Sequence, residues 1–420
     1  MFERVAVVGA GAAGLAAAWA AAERGAELRV FDAGVGASCL GGGAVDDRPW
    51  EEVARAAALL GVEPVAAALG ERVLAFAEAL GLWRLVAPGR SLVWLATESG
   101  YVRPARGADL ALLDLAVLPA GARLVLPRVP RPEWDADALA RTLADDPWSR
   151  ARGMRFDVID AVALRFAGEE RIAAGELAAR HDDPQRLGWL GDRLAEALGR
   201  AGRADAVLCG AWLGADAPRA ASLAARLGTP VGEILAGVGS AAGLRFEAAR
   251  RALLARMGVA LEKREVVTVD PDAGEVRVEL AGEGERATIA DAVVLAAGGL
   301  GAGGVVYDPP EAAAGRGFPG SGRCAFRVAF AAPVQMRAHG RRLERVGSVH
   351  GPALDEVAWP TDADPGLLEA VGVAVDDDGV RCGPDLYAAG DLVADAPRTL
   401  LRAVESGLRA GAAAGGEPGE

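Results

Sequence analysis

The chain has 420 residues, 52% hydrophobic and 25% charged, proportions that exclude a disordered or collagen-like protein and leave room for two domains. It carries 45 basic against 58 acidic side chains, a formal net charge of −13 that disfavours nucleic acid and anionic lipid as partners. The four cysteines, Cys39, Cys209, Cys324 and Cys382, stand far apart without a CxxC pair, so neither a metal site nor a disulfide framework is expected.

In chain order, Arg4–Val8 (RVAVV) is a short, β-branched, continuous apolar run, the pattern of a buried strand. The glycine turn GAGAAG follows, then an alanine-rich helix to about Arg24, with Gly25 as its stop. Residues 28–31 (LRVF) predict a second strand ending at Asp32. This strand, turn, helix and strand predict a parallel sheet with a right-handed crossover. No secretion signal precedes the first strand. No stretch reaches the ~20 apolar residues of a membrane span. A cytoplasmic protein is expected, meeting the inner membrane face only through partners.

The pattern changes beyond residue 47. Residues 50–60 and 64–80 read as helices, 205–210 (DAVLCG) as a strand, 217–227 as a helix and 245–257 as an amphipathic helix. Between them lies Pro- and Arg-rich material, including PRVPRP at 127–132. The tail returns to the first style. Residues 259–280 alternate like paired strands around a turn at 270–274. Residues 291–297 (DAVVLAA) form a buried strand ending in Gly298-Gly299, and 386–389 (LYAA) lead into Gly390-Asp391 and a helix over 399–414. The expected domains are 1–47, 255–308 and 372–420 for one discontinuous unit, and 48–254 with 309–371 for the other.

Gly9-x-Gly11-x-x-Gly14 sits where a dinucleotide site needs it. The first glycine makes the tight turn, the second leaves room for a diphosphate and the third lets helix and strand pack closely. The helix N-terminus offers N–H groups and a positive dipole end to phosphates. Asp32, 18 residues beyond Gly14, can accept both hydroxyls of an adenosine ribose and repels a 2′-phosphate. A second match, Gly299-x-Gly301-x-x-Gly304, runs into VVYDPP, and Pro310 bars a helix there. That loop is expected to turn or to pass near the cofactor rather than to hold NAD(P).

The segments IADAVVLAAGG (289–299) and LYAAGD (386–391), behind the first turn, resemble the FAD-dependent oxidoreductases of the glutathione-reductase-like superfamily, including its succinate dehydrogenase/fumarate reductase branch. The resemblance implies an α/β fold: a glutathione-reductase-like FAD-binding domain with parallel sheet and β-meander, plus an inserted α+β second domain. It implies that Asp391 binds a ribityl hydroxyl and that the helix after it points its N-terminus at the pyrophosphate or flavin. Glycines in SCLGGG (38–43) would run beside the cofactor. The cofactor-binding positions on this reading are Gly9, Gly11, Ala12, Ala13, Gly14, Asp32, Ala33, Gly41, Gly42, Gly43, Val267, Ala297, Gly298, Gly390 and Asp391.

The middle segments GGAVD (42–46), SGYVRP (99–104), ADAVLCGAWLG (204–214), RLGTPVG (226–232) and AGLRFEAARRALLARM (242–257) resemble, in order, the flavoprotein B subunit of the anaerobic glycerol-3-phosphate dehydrogenase. That family implies a flavoprotein, commonly described with FMN, working with a catalytic FAD subunit and an iron–sulfur subunit toward membrane quinone. The intact turn, Asp32 and Gly390-Asp391 favour FAD, with FMN as the alternative, because FMN has no adenosine ribose for Asp32. A stand-alone flavin dehydrogenase or reductase of another small metabolite, and a non-redox assembly protein, remain as rival functions.

Of the three histidines, His181 (RHDD) and His339 read as solvated, while His350 (SVHG) is the candidate to move a proton beside a flavin. Lys263 is the only lysine, which makes a Schiff base improbable and leaves Arg103, Arg245 and Arg323 as candidates for an anionic substrate. Cys39 lacks a partner cysteine nearby and reads as a lone buried thiol.

Overall fold

A computed structural model describes residues 4–60, 64–272, 274–308, 325–342 and 370–416. His350, Arg323 and Cys324 lie outside them. The chain divides into two units, Met1–Ser38 with Arg251–Glu420, and Cys39–Arg250.

The first unit is built on a six-stranded sheet in the order Leu261–Glu262, Glu27–Phe31, Arg4–Val8, Ala292–Leu295, Leu386–Ala388, Arg381–Gly383. The first five strands are parallel and the last is antiparallel. The central strands are short runs of Val, Ala and Leu with both faces buried, as a parallel sheet covered on two sides demands. The helix Ala12–Ala22 follows the first strand and is almost wholly buried. Its alanines let the C-terminal helix Leu400–Ala414 approach closely: a Cβ on Gly407 would lie 2.1 Å from the Ala13 carbonyl oxygen, and one on Gly411 2.1 Å from that of Ala17.

The expected meander is present as Val266–Asp272, Glu275–Leu280 and Ala287–Ala290, antiparallel throughout. The first strand runs through Asp272, so the turn is shorter than the 270–274 segment suggested. Val266, Val269, Val276, Val278 and Leu280 point into the core of this unit. The same core takes Phe326, Val328, Phe330, Val334 and Met336. Ala325–Val328 pairs with Val305–Asp308, and Met336–Ala338 with Gly372–Val373. Residues 325–342 therefore belong to the first unit, a correction to the expected second-domain placement of 309–371. The other boundaries also move. Ala44–Val45 pairs with Gly107–Asp109, which draws the chain into the second unit after Ser38 rather than after residue 47.

The second unit combines antiparallel pieces with a four-stranded parallel sheet. The antiparallel pieces are Ala44–Val45, Gly107–Asp109 and Trp83–Leu85, and Val93–Ala96 with Val102–Ala105. The parallel sheet has the order Val231–Glu233, Ala206–Cys209, Arg123–Arg128, Arg155–Asp160. Chain order reverses between Arg123–Arg128 and Ala206–Cys209, so this sheet is doubly wound, with helices in each connection. Trp134 and Trp212, at the carboxyl ends of those two strands, meet edge to face with ring centres 5.1 Å apart. Trp134 Nε1 donates to the Pro127 carbonyl at 2.7 Å, so the proline-rich run shapes the end of a central strand.

Two helix bounds differ from expectation. The helix expected from residue 64 starts at Glu71, because Val65 bridges Ser91 in an extended segment. The helix expected to be amphipathic over 245–257 spans Ala241–Arg256 and buries Arg245 and Arg250.

Candidate functional site

A cleft of about 310 Å³ in the first unit opens along the carboxyl ends of four neighbouring parallel strands. Asp32 follows Glu27–Phe31, Gly9 follows Arg4–Val8, Ala297 and Gly298 follow Ala292–Leu295, and Gly390-Asp391 follow Leu386–Ala388; all line the cleft. Three inter-strand steps of ~4.8 Å set Asp32 and Asp391 on strands ~14 Å apart.

The three turn glycines have separable reasons. Gly9 has φ +103°, and a Cβ there would lie 2.3 Å from the Ala296 carbonyl oxygen. A Cβ on Gly14 would lie 1.8 Å from the Gly9 carbonyl oxygen. Both are therefore packing requirements, and Gly14 sits beneath the cleft rather than on its lining. Gly11 differs: a Cβ there would meet only the Ser38 hydroxyl, at 3.3 Å, so the missing side chain leaves the helix end open to the cleft. Ala12 N–H donates to Ser38 Oγ at 3.0 Å. An uncovered helix start beside a hydroxyl is a cradle that fits a diphosphate.

Asp32 is buried, and its Oδ2 accepts a hydrogen bond from Lys263 Nζ at 2.6 Å. Lys263 did not figure among the expected site residues. Its place depends on the edge strand Leu261–Glu262, whose pairing with the second strand leaves no local signal. Asp391 lies at the other end of the cleft. Burial pushes its carboxyl pKa up, opposed by the nearby Arg398 guanidinium. Gly390 has φ +69° and a Cβ there would lie 2.7 Å from that of Ala13, so strand end and turn helix lock together. Gly390 N–H donates to Ser406 Oγ at 2.9 Å. Thr399 stands at the N-cap of the C-terminal helix with its buried hydroxyl lacking a partner among the described residues, and Ala403 of that helix lines the cleft.

Ala12, Ala13 and Ala33 also line the cleft. Val267 does not: it is 43% exposed, and the inward position of that strand is Val266, which does line it. Gly41, Gly42 and Gly43 belong to the other unit, where a Cβ on Gly42 would lie 1.9 Å from the Ala236 carbonyl oxygen. Packing explains that glycine without a cofactor. The second glycine loop contributes Gly303 and Gly304 to the cleft and runs into the strand Val305–Asp308, not into a helix. Among the described residues no group of three His, Cys, Asp or Glu side chains could hold a metal ion. No helix among them is long and apolar enough to cross a membrane.

Two of the candidate anion-binding arginines, Arg245 and Arg103, are already engaged. Arg245 is fully buried, with Nε 2.9 Å from Asp109 Oδ2, Nη2 2.7 Å from Glu233 Oε2 and Nη1 2.7 Å from the Gly214 carbonyl. Arg103 is bound by Asp46 and the Pro104 carbonyl. His181 is not solvated: it is fully buried, with Nδ1 2.8 Å from the Trp212 carbonyl oxygen. A carbonyl only accepts, so the neutral ring carries its proton on Nδ1. Cys39 is buried, and His339 is exposed in a left-handed turn.

A family profile described as an NAD(P)-binding Rossmann-like domain matches residues 7–57. No curated protein matches the sequence. Among solved structures, a 3-ketosteroid Δ1-dehydrogenase from Sterolibacterium denitrificans with 1,4-androstadiene-3,17-dione is similar at 14% identity, covering 99% of each chain with a TM-score of 0.38. CabE, an aromatic hydroxylase from angucycline biosynthesis, is similar at 11% identity over 99% of this chain and 63% of its own, with a TM-score of 0.33. CtdE in complex with FAD is similar at 9% identity over 98% and 83%, with a TM-score of 0.32.

Proposed function

We propose that the chain is an FAD-dependent oxidoreductase. The observation that carries this is a single cleft containing Asp32, the open helix start at Gly11 and Gly390-Asp391. An extended dinucleotide places an adenosine ribose at Asp32, its diphosphate at the helix start and its second half at Gly390-Asp391, whereas FMN has no adenosine ribose to set against Asp32. In this reading Asp32 accepts the adenosine ribose hydroxyls. The start of Ala12–Ala22, with Ser38, faces the diphosphate, and Asp391 accepts from a ribityl hydroxyl. Bound FAD supplies the two-electron redox chemistry. The experiment is acid precipitation of the purified protein and chromatography of the supernatant. FAD is the expected result; FMN alone overturns the role of Asp32, and a colourless protein that takes up no flavin favours a non-redox assembly protein.

The finer reading is a flavoprotein of the anaerobic glycerol-3-phosphate dehydrogenase type, the B subunit of that complex. It is supported by the ordered resemblance of the middle segments. It calls for a second flavoprotein and an iron–sulfur protein as partners, because four scattered cysteines supply no cluster of their own. Copurification from the native host tests it. Turnover of a small metabolite by the isolated chain favours the stand-alone dehydrogenase.

A further inference from the structure

Lys263 is the only lysine in a chain whose other basic side chains, three histidines aside, are all arginine, and its ammonium lies 2.6 Å from Asp32 Oδ2. Backbone register puts it there. Leu261 pairs with Val30 and Glu262 with Phe31 in parallel, and Asp32 N–H donates to the Glu262 carbonyl at 2.9 Å. One residue further, Lys263 and Asp32 face each other at the sheet edge. Glu262 is held in turn by Arg29, whose Nε and Nη2 donate to its two carboxylate oxygens at 2.7 and 2.8 Å.

The two partners differ in exposure: the Asp32 side chain is 7% exposed and that of Lys263 is 61% exposed. The ammonium thus reaches the carboxylate from solvent. A carboxylate offers about four lone-pair sites, and an ammonium is a point donor that takes one of them, here on Oδ2. Gly34 N–H approaches Oδ1 at 3.4 Å. An arginine could fork across both oxygens and cover them. A lysine at this position, in a chain that elsewhere uses arginine, provides charge compensation through a single contact to Oδ2.

We propose that Lys263 is a positioning residue of the ribose site, fixing the orientation of the Asp32 carboxylate so that it accepts a ribose diol. The ligand's identity as FAD rests on the function proposed above. The test is FAD titration, by quenching of flavin fluorescence, of the flavin-stripped full chain and the variants Lys263→Met, Asp32→Ala and the double variant. Lys263→Met is expected to raise the Kd about 5- to 10-fold and Asp32→Ala at least about tenfold. The double variant is expected to match Asp32→Ala within about twofold, because Lys263 acts through Asp32. A Lys263→Met loss that persists in the Asp32→Ala background, or no loss in the parent, overturns the proposal. An unchanged affinity for Asp32→Ala instead overturns the ribose assignment, so the two failures are distinct.

Discussion

Burial of one histidine ties the stability of the second unit to pH. Desolvation lowers the His181 pKa from 6.5 to about 4, against a hydrogen bond to the Trp212 carbonyl that raises it. Between those values the unfolded chain takes up a proton that the folded chain refuses. Stability from this source is complete above the unfolded pKa and falls as pH drops toward 4. The loss is about 3 kcal/mol, and His181→Gln is expected to remove most of it. Urea unfolding at neutral and acid pH, parent against variant, is the measurement; equal pH dependence would clear His181 as the cause. The run Arg180, His181, Asp182 and Asp183 conceals this environment because His181 caps the helix Ala174–Arg180 and turns inward while its neighbours pair outward. The place of Asp32 on the cleft was legible from its distance to the glycine turn. Arg245 misled for the opposite reason: its charge is visible in the sequence, but Asp109 and Glu233, which consume it, lie 136 and 12 residues away.

At the scale of elements, Ala12–Ala22 packs on Leu400–Ala414, two helices that line the cleft through Ala12, Ala13 and Ala403. Gly407 and Gly411, one helical turn apart, face Ala13 and Ala17 at backbone distance. Gly411→Val drives a branched side chain into the Ala17 carbonyl and is expected to cost about 1–3 kcal/mol, with a clear drop in melting temperature. Circular dichroism melting checks it, and an unchanged midpoint would show that the helices can separate without penalty. The final helix was visible in the sequence. Which helix it packs against was not, since a stripe of small residues marks close approach without naming the partner.

At the scale of the whole molecule, the proposed flavin is expected to be inert to NADH and NADPH. The second glycine loop holds a single 3-10 turn, Leu300–Ala302, and ends in the strand Val305–Asp308, so it opens no α-helix toward a nicotinamide nucleotide. Mixing the holoprotein with either nucleotide without air is expected to leave the flavin spectrum oxidised; rapid bleaching would make that loop a nucleotide site after all. The discontinuous plan, with a parallel sheet and meander split by an insertion, was readable because each part has a local signature: glycine turn, alternating strands, buried apolar strand, Gly-Asp. The extent of each unit was not, and neither was the parallel sheet inside the insertion.

Short-range chemistry specified the turn, the carboxylate that follows the second strand and the strand ends of this protein, because steric and hydrogen-bonding demands there are met by residues within a few positions of one another. Tertiary packing alone decided that residues 325–342 join the first core, that Arg245 is a buried counter-ion and that Lys263 meets Asp32. Each of these depends on strand register or on burial by elements distant in sequence, and no local pattern encodes which distant carboxylate or carbonyl will be brought within reach.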